Sequence, residues 1–246
     1  MTLLAFPALD EAPHVARLAA FAADAVAAGV VDRALLLDGG SRDGTPQLAA
    51  RHGLEVVDAR ALTGGRALRG KGDAVAALLR TTDHDRLVLL DADVEGLATA
   101  SVTRLLAALT RPVALVKGVC RRLDPATGTV RSGRVSELVA RPALELLGSR
   151  LAGLRDPLSG QVAVHVPSVR DLDLHPGYGL ELSMLLALEQ RHGAGAVAEV
   201  DLEPIAHRHK DVDELAVVAR EVLAVALGAA AARGASWRPD PDPERP

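Results

Sequence analysis

The chain has 246 residues, 49% hydrophobic and 24% charged, enough to bury the core of one sizeable globular domain. Aromatic residues make up 2% and the net charge is −4, so the core must be aliphatic and there is neither a stacking platform nor a basic field for nucleic acid. Cys120 is the only cysteine, which excludes an intramolecular disulfide and suits a reducing cytoplasm.

In chain order, Leu3 to Ala8 is a short apolar strand, and Asp10-Glu11-Ala12-Pro13 supplies acids and a proline suited to the first turn of a helix running to about Ala28. Gly29 stops that helix. Val31 to Leu37 restarts as a strand and ends in the turn-rich Asp38-Gly39-Gly40-Ser41-Arg42-Asp43-Gly44-Thr45, which leads into a helix to His52. Leu54 to Val57 is a third strand. A glycine-rich loop, Gly64 to Gly72, precedes a helix from about Asp73 to Leu79. The run Arg86-Leu87-Val88-Leu89-Leu90 then stops at Asp91-Ala92-Asp93, as a strand buried on both faces would stop at a ligand-binding sheet edge.

The second half continues with a helix from Ala98 to Leu109, a strand from Ala114 to Arg122, and a hairpin candidate over Asp124 to Gly133. A helix from Ser136 to Leu147 has Pro142 starting a second segment. Gln161 to Val166 is a strand, Gly179 to Arg191 a helix, Val197 to Leu202 a strand, and Val212 to Ala232 a long helix. This alternation predicts an α/β fold with a doubly wound, mainly parallel sheet and right-handed crossovers. One domain is expected over 1–235, with 1–112 and 113–235 as two halves, and 236–246, rich in proline and charge, as a disordered tail. No charged-then-apolar leader opens the chain, and Arg220, Glu221 and Gly228 interrupt the longest apolar stretch, so a cytoplasmic protein without a membrane span is expected.

The loops after Ala8, Leu37 and Leu90 should converge at one sheet edge. Lys71 stands between Gly70 and Gly72, where backbone can approach a phosphate and the ammonium can neutralise it, so the set describes a nucleotide-diphosphate pocket. Walker A is excluded because Gly72 and Asp73 follow Lys71, and the first strand-helix turn, Pro7-Ala8-Leu9-Asp10-Glu11, lacks the Rossmann glycines.

Phe6 to Glu11, Leu37 to Thr45 and Leu90 to Asp93 resemble, in order and spacing, the nucleotide-sugar half of GT-A glycosyltransferases. Val116-Lys117-Gly118, Gly133 to Pro142, Pro157-Leu158-Ser159-Gly160, Pro176 to Glu181 and His207-Arg208-His209 sharpen this to the glucosyl-3-phosphoglycerate synthase family and its mannosyl relatives. That resemblance implies a GT-A fold and a metal-dependent retaining transfer of glucose or mannose from a nucleotide-diphosphate sugar, such as UDP-glucose, to 3-phosphoglycerate or a similar small phosphorylated acid. It also implies a magnesium or manganese cofactor and a homodimer, the long helix supplying the interface. Pro7, Ala8, Leu9, Glu11, Asp38, Gly39, Lys71, Asp91 and Ala92 would hold the donor; Asp93 and His207 would ligate the cation. Arg134, Ser136, Tyr178 and His209 would hold the acceptor, with Asp91, Glu181 and the Leu158 carbonyl at the reacting centre. Arg121 and Arg122 are further candidates for the anionic acceptor. No carboxylate is an obvious nucleophile, which implies front-face attack. The chain departs from the family's usual residues at Asp10, Gly39, Ser159-Gly160-Gln161 and His209.

Two alternatives remain. One keeps the fold and chemistry but changes the acceptor, to a polyprenyl phosphate or another small acid; the other is a sugar-phosphate nucleotidyltransferase, which should carry a Gly-x-Gly-x-Arg loop after the first strand where Pro7 to Glu11 stands.

Overall fold

A computed structural model describes residues 1–96, 98–120, 133–203 and 211–234, and the backbone of 122–123 and 130–131. From the N-terminus come β1 (Thr2–Ala8), α1 (Val15–Ala27), β2 (Arg33–Asp38), α2 (Thr45–Arg51), β3 (Glu55–Asp58) and α3 (Ala59–Leu62). Next are α4 (Lys71–Thr81), β4 (Arg86–Leu89), α5 (Thr99–Ala108), β5 (Leu115–Val119) and the short pair β6 (Arg122–Leu123) and β7 (Val130–Arg131). A π-helical turn, Ser136–Ala140, runs into α6 (Arg141–Leu146), followed by β8 (Val162–His165), α7 (Val166–Val169), α8 (Leu180–His192), β9 (Val197–Asp201) and α9 (Val212–Ala232).

Seven strands form one sheet in the order β3-β2-β1-β4-β8-β5-β9. Successive side chains of β1 point to opposite faces, and both faces are covered, which is why the strand reads as an unbroken apolar run. Leu3 and Ala5 join Leu37, Leu87 and Leu89 beneath α4 and α8, through Leu78, Leu79, Met184 and Leu185. Leu4 and Phe6 join Leu36, Val88 and Leu90 beneath α1 and α5, through Leu18, Ala22, Val102 and Leu105. Each such leucine contributes about 1.5–3 kcal/mol of burial. A third cluster, Leu144, Leu182, Leu186, Val222 and Ala226, packs α6, α8 and α9 together on the second half.

The mainly parallel sheet expected from the pattern is present, with one exception. β8 runs antiparallel to both β4 and β5, in register Leu89↔Val162 and Lys117↔Val162. Its first residues therefore lie at the edge where β1, β2 and β4 end, and Gly160 and Gln161 meet Asp91 there.

Other differences are local. The strand expected over Ala114 to Arg122 stops at Val119; β6 pairs antiparallel with β7, and residues 124–129 of the expected hairpin lie outside the described residues. Ser136 to Leu147 divides ahead of Pro142, as its fixed φ and missing N–H require, into the π-helical turn and α6. Among the described residues α9 is long and apolar enough to cross a membrane, with 11% of its apolar window buried. Its N-terminus carries a reciprocal cap, Glu214 N donating to Asp211 Oδ1 and Asp211 N to Glu214 Oε2, at 2.8 and 3.0 Å. The helix lies on the third cluster through Val222 and Ala226.

Candidate active site

A cavity of about 560 Å³ opens at the C-terminal edge of β1, β2 and β4. Its walls bring together Pro7, Ala8, Leu9 and Glu11 after β1, Gly39 after β2, and Asp91, Ala92 and Asp93 after β4. Lys71 enters from α4, Arg134 and Ser136 from the start of the π-helical turn, and Leu158, Tyr178 and Glu181 from the second half. The three loops converge as the strand ends predicted.

The loops after β1 and β2 are held by each other. Asp10 is the only described non-glycine residue with positive φ, at 58°; its N–H donates to Ser41 Oγ and its Oδ1 accepts from Arg42 N, at 2.9 and 2.7 Å. Glu11 N donates to Thr45 Oγ1 at 2.9 Å, and Ala12 N to Asp43 Oδ2 at 3.0 Å. Asp38 is outside the cavity wall: it is buried, and its carboxylate accepts from Gly40 N and Ser41 N. It shapes the turn that carries Gly39 into the cavity wall.

The floor is a chain of charges. Lys71 Nζ lies 2.7 Å from Asp91 Oδ1 and 2.9 Å from Glu181 Oε1. Gln161 Nε2 donates to Asp91 Oδ2 while Gln161 Oε1 accepts from Asp91 N, both at 3.1 Å. Burial alone would lower the Lys71 amine, but the two carboxylates outweigh it and hold the amine above the ordinary lysine value, so it is an ammonium at neutral pH. Asp93 differs: it lines the cavity and has no hydrogen bond or ion pair among the described residues. The backbone between the two acids is fixed by Arg17 on α1, whose Nη2 donates to Ala92 O at 2.8 Å.

The glycines flanking Lys71 also allow a close backbone approach. A Cβ on Gly70 would meet the Gly177 Cα and Pro176 carbonyl, and one on Gly72 would run into the His175 carbonyl. Asp73 N donates to Pro176 O at 2.9 Å. The glycines allow the start of α4 to close on the 175–177 turn, which brings Lys71 beside Glu181. In the second half Ser136 Oγ donates to the buried Asp156 Oδ1 at 2.8 Å, and Asp156 N donates to Glu199 Oε1 at 3.0 Å. Arg134 is exposed at the rim.

Three residues of the site were not assigned roles from sequence. Gln161 orients Asp91, Glu221 of α9 lines the cavity, and Lys117 of β5 is buried against Leu180 and Met184 in a small cavity under the floor. A lysine inside the apolar strand Leu115–Val119, and a glutamate inside the apolar α9, were the available signals. His207, His209 and Arg121 lie outside the described residues, as does the side chain of Arg122. Among the described residues no three His, Cys, Asp or Glu side chains converge as a metal set.

Residues 7–156 match the family described as glycosyl transferase family 2. The chain belongs to that family. Among curated relatives, glucosyl-3-phosphoglycerate synthase of Mycobacterium tuberculosis (strain H37Rv) is 36% identical over 208 residues, covering 81% of this chain and 64% of the relative. The synthase of Mycolicibacterium smegmatis is 35% identical over 205 residues, covering 81% of this chain and 68% of the relative. The chain thus spans somewhat less than two thirds of the Mycobacterium tuberculosis relative's length. The crystal structure of that organism's synthase with Mn²⁺, UDP and phosphoglyceric acid superposes with a TM-score of 0.83 at 32% identity, over 93% of this chain and 78% of the other. Its complex with Mn²⁺ and UDP-glucose gives 0.84 at 31% identity, over 96% and 80%. Family membership, the seven-stranded sheet and these superpositions bear out the GT-A fold expected from the motifs.

Proposed function

We propose that this protein is a metal-dependent retaining glycosyltransferase that moves a glucosyl group from UDP-glucose to 3-phosphoglycerate or a similar small phosphorylated acid. The observation that carries the reading is one cavity holding a carboxylate with no partner among the described residues, Asp93, a fixed ammonium, Lys71, and the cationic rim of Arg134. A nucleotide diphosphate and an anionic acceptor need those three things. Relatives at 36% identity carry the same activity by name, and solved relatives bind Mn²⁺, UDP-glucose and phosphoglyceric acid.

The residues fit a divalent cation in part. Both Asp91 oxygens are engaged by Lys71 and Gln161, so Asp93 is the carboxylate left to bind metal, with His207 as the second ligand. The cation would supply Lewis-acid neutralisation of the diphosphate as the leaving group departs. Lys71 adds a second positive charge toward the same phosphates, and Asp91, held at both oxygens, faces the donor's ribose or sugar. Pro7, Ala8, Leu9, Glu11 and Gly39 line the nucleotide side, with Ala92 carrying the turn between the two acids. Arg134 and Ser136, with Tyr178 and His209, take the acceptor.

Retention is what the resemblance to the glucosyl-3-phosphoglycerate synthase family implies, and the state of the carboxylates bears on its route. Asp91 is engaged at both oxygens, Glu181 is paired to Lys71, and Asp156 is buried on Ser136, so none is offered as a nucleophile. Front-face attack is the remaining route: the acceptor hydroxyl gives its proton to the departing phosphate, the Leu158 carbonyl and the Glu181 carboxylate steady the oxocarbenium-like state, and configuration is kept. We read both halves as one catalytic unit, since a single sheet runs through them, and we expect a cytoplasmic homodimer. Support for the dimer is that α9 leaves Val217, Leu223 and Leu227 exposed.

A donor-by-acceptor matrix, with metal added or chelated and nucleotide release followed, tests the function. UDP-glucose with 3-phosphoglycerate and Mn²⁺ should turn over; turnover only with a different acceptor ends the specific reading and keeps the class. Asp93→Ala should abolish metal-dependent turnover with the fold intact, and undiminished activity would remove that residue from the metal site.

A further inference from the structure

We propose that Glu221 of α9 is a positioning residue for the acceptor side of the pocket, holding the Pro176–Tyr178 turn in the form that presents Tyr178 and backs α4. The inference rests on the acceptor site proposed above. Tyr178 N donates to Glu221 Oε2 at 2.5 Å, a charge-assisted bond from a backbone amide at the cavity wall. The same oxygen occupies the space that a Cβ of Gly177 would need, so carboxylate and glycine are complementary in shape as well as in hydrogen bonding. His175 Nδ1 lies 3.8 Å from that oxygen but accepts from Gly177 N at 3.2 Å, so in this arrangement Nδ1 carries no proton and the amide is the Glu221 partner.

The turn is then clamped from its other side. Pro176 O accepts from Asp73 N, and Gly70 and Gly72 close on it, so it backs the first turn of α4, whose Lys71 holds both Asp91 and Glu181. Glu221 itself is fixed because its neighbour Val222 is fully buried in the third cluster and Asp211 caps its helix. An acid facing a pocket for anionic ligands would repel them. A carboxylate spent on a backbone amide is the form in which that position is useful.

Three variants test the proposal. Glu221→Ala should raise the KM for 3-phosphoglycerate about tenfold or more, the loss of a charge-assisted bond, with the calorimetric affinity for UDP-glucose and Mn²⁺ unchanged. Hydrogen exchange at the Tyr178 amide should accelerate in parallel. Glu221→Gln, which keeps an acceptor oxygen, should restore most of both. Gly177→Ala, whose Cβ displaces the carboxylate, should reproduce the Glu221→Ala behaviour, and it stands in if that variant fails to fold. Unchanged acceptor KM and unchanged Tyr178 exchange in Glu221→Ala or Gly177→Ala would overturn the proposal, as would an equal loss of donor affinity or a Glu221→Gln variant no better than alanine. Should wild-type protein turn over no phosphorylated acid, the acceptor reading fails by itself, and Tyr178 exchange still decides whether Glu221 positions the turn.

Discussion

Lys71 and Lys117 line the same small cavity beneath the pocket floor, yet the protein sets their amines in opposite directions. Lys71 has Asp91 at 2.7 Å and Glu181 at 2.9 Å, and these raise it above the ordinary value despite burial. Lys117 is 1% exposed and forms no ion pair among the described residues. Burial pushes it down to about 8, against which Glu181 and Asp156 pull it up only in part. Glu181 acts on both amines, but in direct contact with only one. Contact, not mere nearness to charge, decides whether a buried lysine is an asset to the site or a cost to the fold.

The sharpest way to break the contrast is Lys71→Met. It leaves Asp91 and Glu181 facing each other across an apolar side chain, a loss of about 3 kcal/mol or more, because the remaining partners of a buried pair are uncompensated. Turnover should fall by about a thousandfold, the upper range for removing one charge-stabilising group, and Lys117 should not compensate. Steady-state kinetics check this: if Lys71→Met retains a tenth of the activity, Lys71 is not the phosphate contact. A smaller effect comes from Gly160→Ala. Its Cβ would lie against the Asp91 carboxylate, prising it from Lys71 and Gln161. We expect about a tenfold fall in kcat, since displacing a site group by about 1 Å costs up to a hundredfold. An unchanged kcat would mean that Asp91's position is not critical.

How much of this was legible in the sequence depends on whether a residue acts through its local pattern or across the fold. β1, β2 and β4 were readable because both faces are buried, which forces consecutive apolar residues, and the acids after β4 marked the edge. The direction of β8 was not readable: Gln161 to Val166 has the same pattern whichever way it runs, and only its partners fix it. α3 and α7, at four residues each, are too short to show a helical period. Lys71 was placed at the pocket, but the contact of its flanking glycines with the 175–177 backbone could not be read from their spacing. Gln161 and Glu221 escaped assignment because each works through partners far away in sequence, 70 and 43 residues distant. Spacing cannot report such bonds. Of the two residues proposed for the metal, Asp93 lies at the cavity wall and His207 lies outside the described residues.

The smallest expected effect also isolates burial from partnership. Replacing Lys117 with Met keeps the volume and removes the charge, and buried charges exchanged for apolar isosteres are commonly neutral or stabilising. Below pH 8 the lysine is protonated in both folded and unfolded chains, and the folded state carries the full desolvation cost. Between its folded value of about 8 and the ordinary 10.5, the folded chain has released the proton while the unfolded chain still holds it. The unfolded state then binds more protons, so this residue makes wild-type stability rise with pH across that window. Lys117→Met has no such slope. Denaturant unfolding of both proteins should therefore show the variant more stable by about 1–2 kcal/mol at pH 7, with the gap closing toward pH 10.5. A gap that stays constant across the window, or a variant less stable at pH 7, would mean that Lys117 has a partner strong enough to hold its charge, and the contrast with Lys71 would disappear.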